Sequence, residues 1–198
     1  MSGNSPPWLE GLLKAYALVD QSVSAALAKE KAARERSPVC GPGCCRCCGH
    51  IIPVSAVEMA GAMWHLGQKV PAAKRNVILR RFGRISQESC PFLLEGQCLV
   101  YALRFMACRQ FWVFGVACRA GEDVLTSRED DVLRPDTDLK MLAFAKLRTI
   151  YGMQDDGVVD KKSLYGFIKR VSLPIQMWRM HPVKSLHELA STKRFSLE

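Results

Sequence analysis

The sequence predicts a mainly α-helical single domain with an irregular cysteine-rich region. Three observations lead there. Apolar residues recur at helical spacing over several stretches. Capping residues and Pro or Gly stops bracket those stretches. All nine cysteines fall within residues 40–118, where glycine and proline interrupt the helical pattern. The chain has 198 residues and a mass of 22.1 kDa. A domain of that size buries roughly 70% of its unfolded surface and needs no cross-link merely to hold a core. Hydrophobic residues at 48% and charged residues at 24% exclude a disordered chain.

The elements follow in order. Trp8 to Arg36 reads as a long helix, with Leu9, Leu12, Leu13, Tyr16, Val23 and Leu27 near helical spacing, ended by Ser37-Pro38. Cys40 to Gly49 is a loop suited to a metal knuckle. Ser55 and Glu58 form a capping-box pattern that opens a helix to about Leu66. Pro71 can take the first position of the next helix, whose stripe is Ile78, Leu79, Phe82 and Ile85. Cys90-Pro91 breaks it, and Glu95-Gly96 is a turn. Val100 to about Phe111 reads as helical, and Phe111 to Ala117 as a short buried strand. Pro135-Asp136 starts a helix to Tyr151, closed by Gly152. Leu164, Phe167, Ile168 and Val171 mark another, stopped by Pro174. Ser185 and Glu188 form a second capping-box pattern for a short terminal helix. These elements divide the chain into an N-terminal helix (1–37), a cysteine-cluster region (38–121) and a C-terminal helical region packed on the same domain (122–196). Leu197-Glu198 reads as a cloning scar.

No stretch approaches the ~20 uncharged apolar residues of a membrane span. Residues 1–14 lack the basic and apolar segments of a secretory signal. The expectation is therefore a cytoplasmic protein with reduced thiols and no membrane partner. That makes the cysteines the most informative residues. Cys40, Cys44, Cys45, Cys47 and Cys48 lie within nine positions, and Cys90, Cys98, Cys108 and Cys118 within 29. Core cysteines scatter along a chain, and disulfide frameworks suit short secreted chains with even counts. Metal ligation explains the clustering better, because thiolates bind zinc or iron in groups.

Cys44 and Cys47 have the two-residue gap that lets two thiolates close on one ion. Adjacent side chains diverge in extended structure, so Cys47 and Cys48 either share an ion through an unusual turn or serve two centres. One straight helix from Cys98 to Cys108 would hold those sulfurs about 15 Å apart, too far for one ion. A bent segment, two centres or a multinuclear cluster would each resolve this. Eight ligands would serve two four-cysteine sites, with Cys45 the odd one. The two groups are expected to meet in space, although 42 positions separate Cys48 from Cys90.

The ordered blocks Cys40-Gly-Pro-Gly-Cys44-Cys45-Arg46-Cys47-Cys48, Cys90-Pro91-Phe92-Leu93, Gly96-Gln97-Cys98-Leu99-Val100-Tyr101, and Arg104 with Cys108-Arg109 resemble the CxxCxxCC cysteine-cluster family. Its members are described as zinc- or iron-chelating proteins, and some relatives are linked to flagellin lysine N-methylation. The resemblance covers residues 38–121. It implies metal ligation by Cys40, Cys44, Cys47, Cys48, Cys90, Cys98 and Cys108, with Cys118 a looser match. Where the family has Arg-Pro this chain has Arg104-Phe105, and Cys45 lies where relatives tend to have another residue. Glu58 matches a glutamate the family tends to carry, although the capping box alone accounts for it.

His50 reads as a solvated loop histidine or as a ligand. Arg104 and Arg109 read either as counter-charges to a thiolate centre or as solvated helix residues. The formal charge is +9. Eight thiolates and two zinc ions would bring it to about +5. Lys74, Arg75, Arg80, Arg81 and Arg84 form a basic helix, but without interleaved aromatics a solvated face explains it better than nucleic acid. No phosphate-binding glycine loop, dinucleotide turn or H-E-x-x-H motif is present, so any catalysis would have to come from the metal region. The expected function is a cytosolic protein with zinc or iron–sulfur centres, to which the family resemblance adds an accessory role in redox or methyl-transfer chemistry. The alternative is a zinc-stabilised module that binds a protein or nucleic acid through its basic helices.

Overall fold

Helix α1, Pro7–Arg34, is the longest element of the computed structural model, which describes residues 5–41, 43–82, 89–154, 160–178, 188 and 195. Ile85, Arg84, the Ser185 cap and the terminal Leu197-Glu198 fall outside the described residues. One face of α1 buries Trp8, Leu9, Leu12, Ala15, Tyr16, Val19, Ser22 and Val23, a three-to-four-residue period running the first two thirds of the helix. The helix stops two residues earlier than its periodicity suggests, because Glu35 turns left-handed (φ 54°) and its N–H caps the Lys31 carbonyl.

After the cysteine loop come strand β1 (Pro53–Ser55) and helix α2 (Ala56–Lys69). The capping box read from Ser55 and Glu58 is present, with both reciprocal bonds made. Helix α3 is Ala72–Phe82. Pro71 sits just outside it and its carbonyl accepts from Arg75 N–H, so Pro71 is the cap residue and not the first helical one.

The segment between Cys90 and Cys118 differs most from expectation. Leu93–Leu94 (β2) and Gln97–Cys98 (β3) form a two-residue hairpin. Its turn residues Glu95 and Gly96 both have positive φ (52° and 74°), the geometry whose twist matches paired strands. The helix expected over 100–111 is two pieces: a 3₁₀ turn at Tyr101–Leu103 and helix α4, Met106–Gln110. Arg104 and Phe105 adopt extended ψ between them (148° and 155°) and break the helix. The residues expected as a strand over 111–117 make only isolated bridges, Val113 to Val132 and Phe114 to Pro38.

Helix α5 is Val124–Ser127, α6 Thr137–Ile150 and α7 Lys161–Val171. Asp136 and Asp160 cap α6 and α7 through their carboxylates. Helix α6 lies along α1 and also packs against α7. Strand β4 (Ser172–Pro174) then returns to pair antiparallel with β1, and α8 (Ile175–Trp178) follows. The fold is mainly α, with two small two-stranded sheets among the described residues. No described helix is long and apolar enough to cross a membrane.

Two apolar clusters result. The larger joins α1, α6 and α7 with Val57 and Ala60 of α2. The second collects Val54, Met59, Met63, Leu66, Ile78, Phe82, Phe92, Phe105, Ile175 and Trp178, and the cysteines Cys90, Cys98 and Cys108 pack against it. Helix α2 serves both, one face to each.

Candidate metal centre

The two cysteine groups meet. Cys90 N–H donates to the Cys48 carbonyl at 2.8 Å, tying the start of the second group to the end of the first. A cavity of about 80 Å³ is lined by Cys44, Cys47, Cys48, Cys90, Cys98 and Cys108, together with His50, Tyr101 and Arg104. Four of the six cysteines arrive on short elements, and Cys44 and Cys90 on loop. A 3₁₀ turn at Arg46–Gly49 carries Cys47 and Cys48, β3 carries Cys98, and α4 carries Cys108. The break at Arg104-Phe105 resolves the helical separation of Cys98 and Cys108, because the chain folds back and brings both to one cavity.

Three cysteines do not line it. Cys45 lines an adjoining groove that shares Cys44, Cys48 and Cys98 with the cavity. Cys40 accepts a hydrogen bond from Val113 N–H at 3.3 Å. Cys118 lies 3.9 Å from the Arg128 guanidinium. Cys40 and Cys118 are near enough to feel each other's charge and that of Cys44, so the nine thiols occupy one region with an inner and an outer part.

Burial dominates the thiol electrostatics. It pushes Cys90 up to about 12 and raises Cys98 and Cys108 as well. Cys47 goes the other way. The Cys48 thiol donates to it, and with the Arg104 guanidinium nearby its pKa falls to about 7, while Cys48 is pushed up by that same bond. All nine cysteines are free thiols. Among the described residues, no three His, Cys, Asp or Glu side chains stand in metal-holding geometry. The donor set itself, six soft sulfurs and an imidazole around one cavity, has the chemistry that zinc and iron–sulfur centres take.

The supporting residues separate cleanly. Arg104 lies on the cavity, stacked 4.3 Å over Tyr101 and within the electrostatic reach of Cys47 and Cys98. Arg109 is no solvated helix residue: it is 8% exposed and bonded to Asp20 (2.7 Å) and to the Arg104 and Ala102 carbonyls. Its guanidinium also lies 4.1 Å over the Tyr16 ring. It therefore fixes the bend before α4 onto α1. Glu58 does more than cap α2. Its second oxygen accepts from Met106 N–H at 2.8 Å, so one buried carboxylate holds the first turns of both α2 and α4. His50 is half-buried, 6.0 Å from the Phe111 ring, and not a solvated loop residue.

The sequence reading missed the contribution of the chain's far end. Ile175 of α8 lines the thiol cavity, its N–H donates to the Ile52 carbonyl at 2.8 Å, and Gln176 donates to the His50 carbonyl. No local pattern signals this, since the pairing spans more than a hundred residues. Compared with protein-family models, curated proteins and solved structures, the chain finds no match.

Proposed function

We propose that this chain is a cytosolic metal-binding protein whose clustered cysteine thiolates hold zinc or an iron–sulfur cluster. The observation that carries the reading is the convergence of six cysteines from two distant segments on one small cavity. Thiols gathered by chance in a core would have no reason to share a lining with a guanidinium and an imidazole. Cys44, Cys47, Cys48, Cys90, Cys98 and Cys108 would supply the inner ligands, and Cys40 and Cys118 the outer ones. Arg104 would offset the negative charge of bound thiolates. The metal would supply fixed cross-links between loops and, if iron–sulfur, electron transfer. A link to the CxxCxxCC cysteine-cluster family, and through it to redox or methyl-transfer chemistry, rests on the motif resemblance alone.

The alternative, an interaction module working through basic helices, has less support. Arg75 and Arg81 of α3 are spent on the Gly67 and Leu93 carbonyls, which leaves Lys74 and Arg80 exposed on that helix. The test is anaerobic purification with elemental analysis and a visible spectrum. Stoichiometric zinc or iron supports the proposal, and absorption in the visible range selects the cluster. A folded, metal-free protein with nine titratable thiols, unable to take up either metal, overturns it.

A further inference from the structure

A second and larger cavity lies on the other side of α4 from the thiols. Its volume is about 350 Å³, within the range of small-molecule sites. Helix α4 is the wall between the two: Cys108 faces the thiols, whereas Met106, Ala107 and Gln110 face this space. Most of the lining is apolar, from Leu133, Phe144, Leu147 and Ile168. Two charged residues interrupt it, and their environments differ. Glu58 is 4% exposed and its two oxygens already accept three hydrogen bonds. Lys140 is half-exposed, forms no ion pair among the described residues, and holds its ammonium 5.9 Å from the Phe144 ring.

We propose that this cavity binds a small amphipathic carboxylate, with its aliphatic tail among Leu133, Phe144, Leu147 and Ile168 and its carboxylate on Lys140. The charge pattern selects that class. A free ammonium beside an apolar wall is half of an ion pair, and it is accessible to a ligand whose other end is greasy. A cationic ligand would meet the Lys140 ammonium in the lining and would find Glu58 already satisfied by Ser55 and Met106. A neutral aliphatic molecule would gain the apolar contact but leave Lys140 unpaired.

Calorimetric titration of the full chain with octanoate, octylamine and 1-octanol separates these cases. Octanoate should bind about tenfold more tightly than either of the others. Lys140→Met keeps the aliphatic stem and should bring octanoate down to the level of octanol. Ile168→Trp should fill the space and abolish binding; circular dichroism would verify its fold, and Lys140→Met stands as an independent variant if it does not fold. Equal binding of all three ligands, tighter binding of the amine, or no octanoate binding by the parent chain would overturn the proposal.

Discussion

Cys45 and Cys47 are two positions apart and lie in different surroundings. Cys47 lines the thiol cavity with Cys90 and Cys108 and carries the most acidic shifted thiol, whereas Cys45 lines only the adjoining groove, beside Cys44, Cys48 and Cys98. Cys45→Ser should therefore retain the parent's metal content, while Cys47→Ser should lose at least part of it; metal-to-protein ratios of the two purified variants decide. Equal losses would show that Cys45 is a ligand. A second expectation concerns protons. Burial holds Cys90, Cys98 and Cys108 protonated at neutral pH, so a metal must displace protons to bind them. Because metal and proton compete, affinity should rise with pH, and loading in weak buffer near pH 7 should release about one proton per buried thiol ligand. A pH-independent affinity would mean that the ligands are not these thiols. Spacing made the cysteines legible as a group, but not which of them line the cavity, since Cys40 and Cys118 lie outside its lining along with Cys45. The roles of Arg109 and Glu58 were not legible, because their partners Asp20 and Met106 are 89 and 48 positions away.

Capped helices read well from the chain, and short ones read poorly. Ser55 and Asp136 each announced a helix start by a local mechanism, a side-chain oxygen accepting from backbone N–H groups within three residues. The bend at Arg104-Phe105 has no such local signal. It is held by Arg109 bonds to the nearby Arg104 and Ala102 carbonyls and by Glu58, 48 positions from Met106, none of which is a capping or turn pattern. Helix α2 provides a test of packing at this scale, since it carries two glycines of opposite character. A Cβ on Gly61 would lie 2.6 Å from Leu12 of α1, which is fully buried and has nowhere to move. Nothing lies within 4 Å of one on Gly67. Gly61→Val should cost roughly 1–3 kcal/mol by overpacking, and Gly67→Ala should gain roughly 0.5–1 kcal/mol through helix propensity. Urea denaturation of both variants measures the contrast; a Gly61→Val protein as stable as the parent would mean that α1 and α2 do not approach this closely.

The molecule divides its apolar core between a helical part, α1 with α6 and α7, and a part under the cysteines. Metal binding contributes to folding only where its ligands lie. Chelation should therefore speed amide exchange in β1, the 46–49 turn, the 93–98 hairpin and α4, and leave the middle of α1 and α6 protected; hydrogen exchange before and after chelation reads this directly. Loss of protection throughout would show a single cooperative unit. The mainly helical class was legible from periodicity, but the closure of the thiol region by the chain's far end was not. That closure has a consequence in time. Pro53 pairs with Pro174, and Cys118, the last cysteine, precedes Ser172 by 54 positions. A polypeptide made from its N-terminus thus carries the cavity thiols before the segment that adds Ile175 to their lining has been synthesised, and pairings of such high contact order are slow to form. A nascent-like chain truncated after Gly152 should react with a thiol reagent faster than the complete one, and an equal rate would mean that β4 and α8 contribute no shielding. Assembly, on this view, has an interval in which the sulfurs must be guarded by a reducing environment or by early capture of metal.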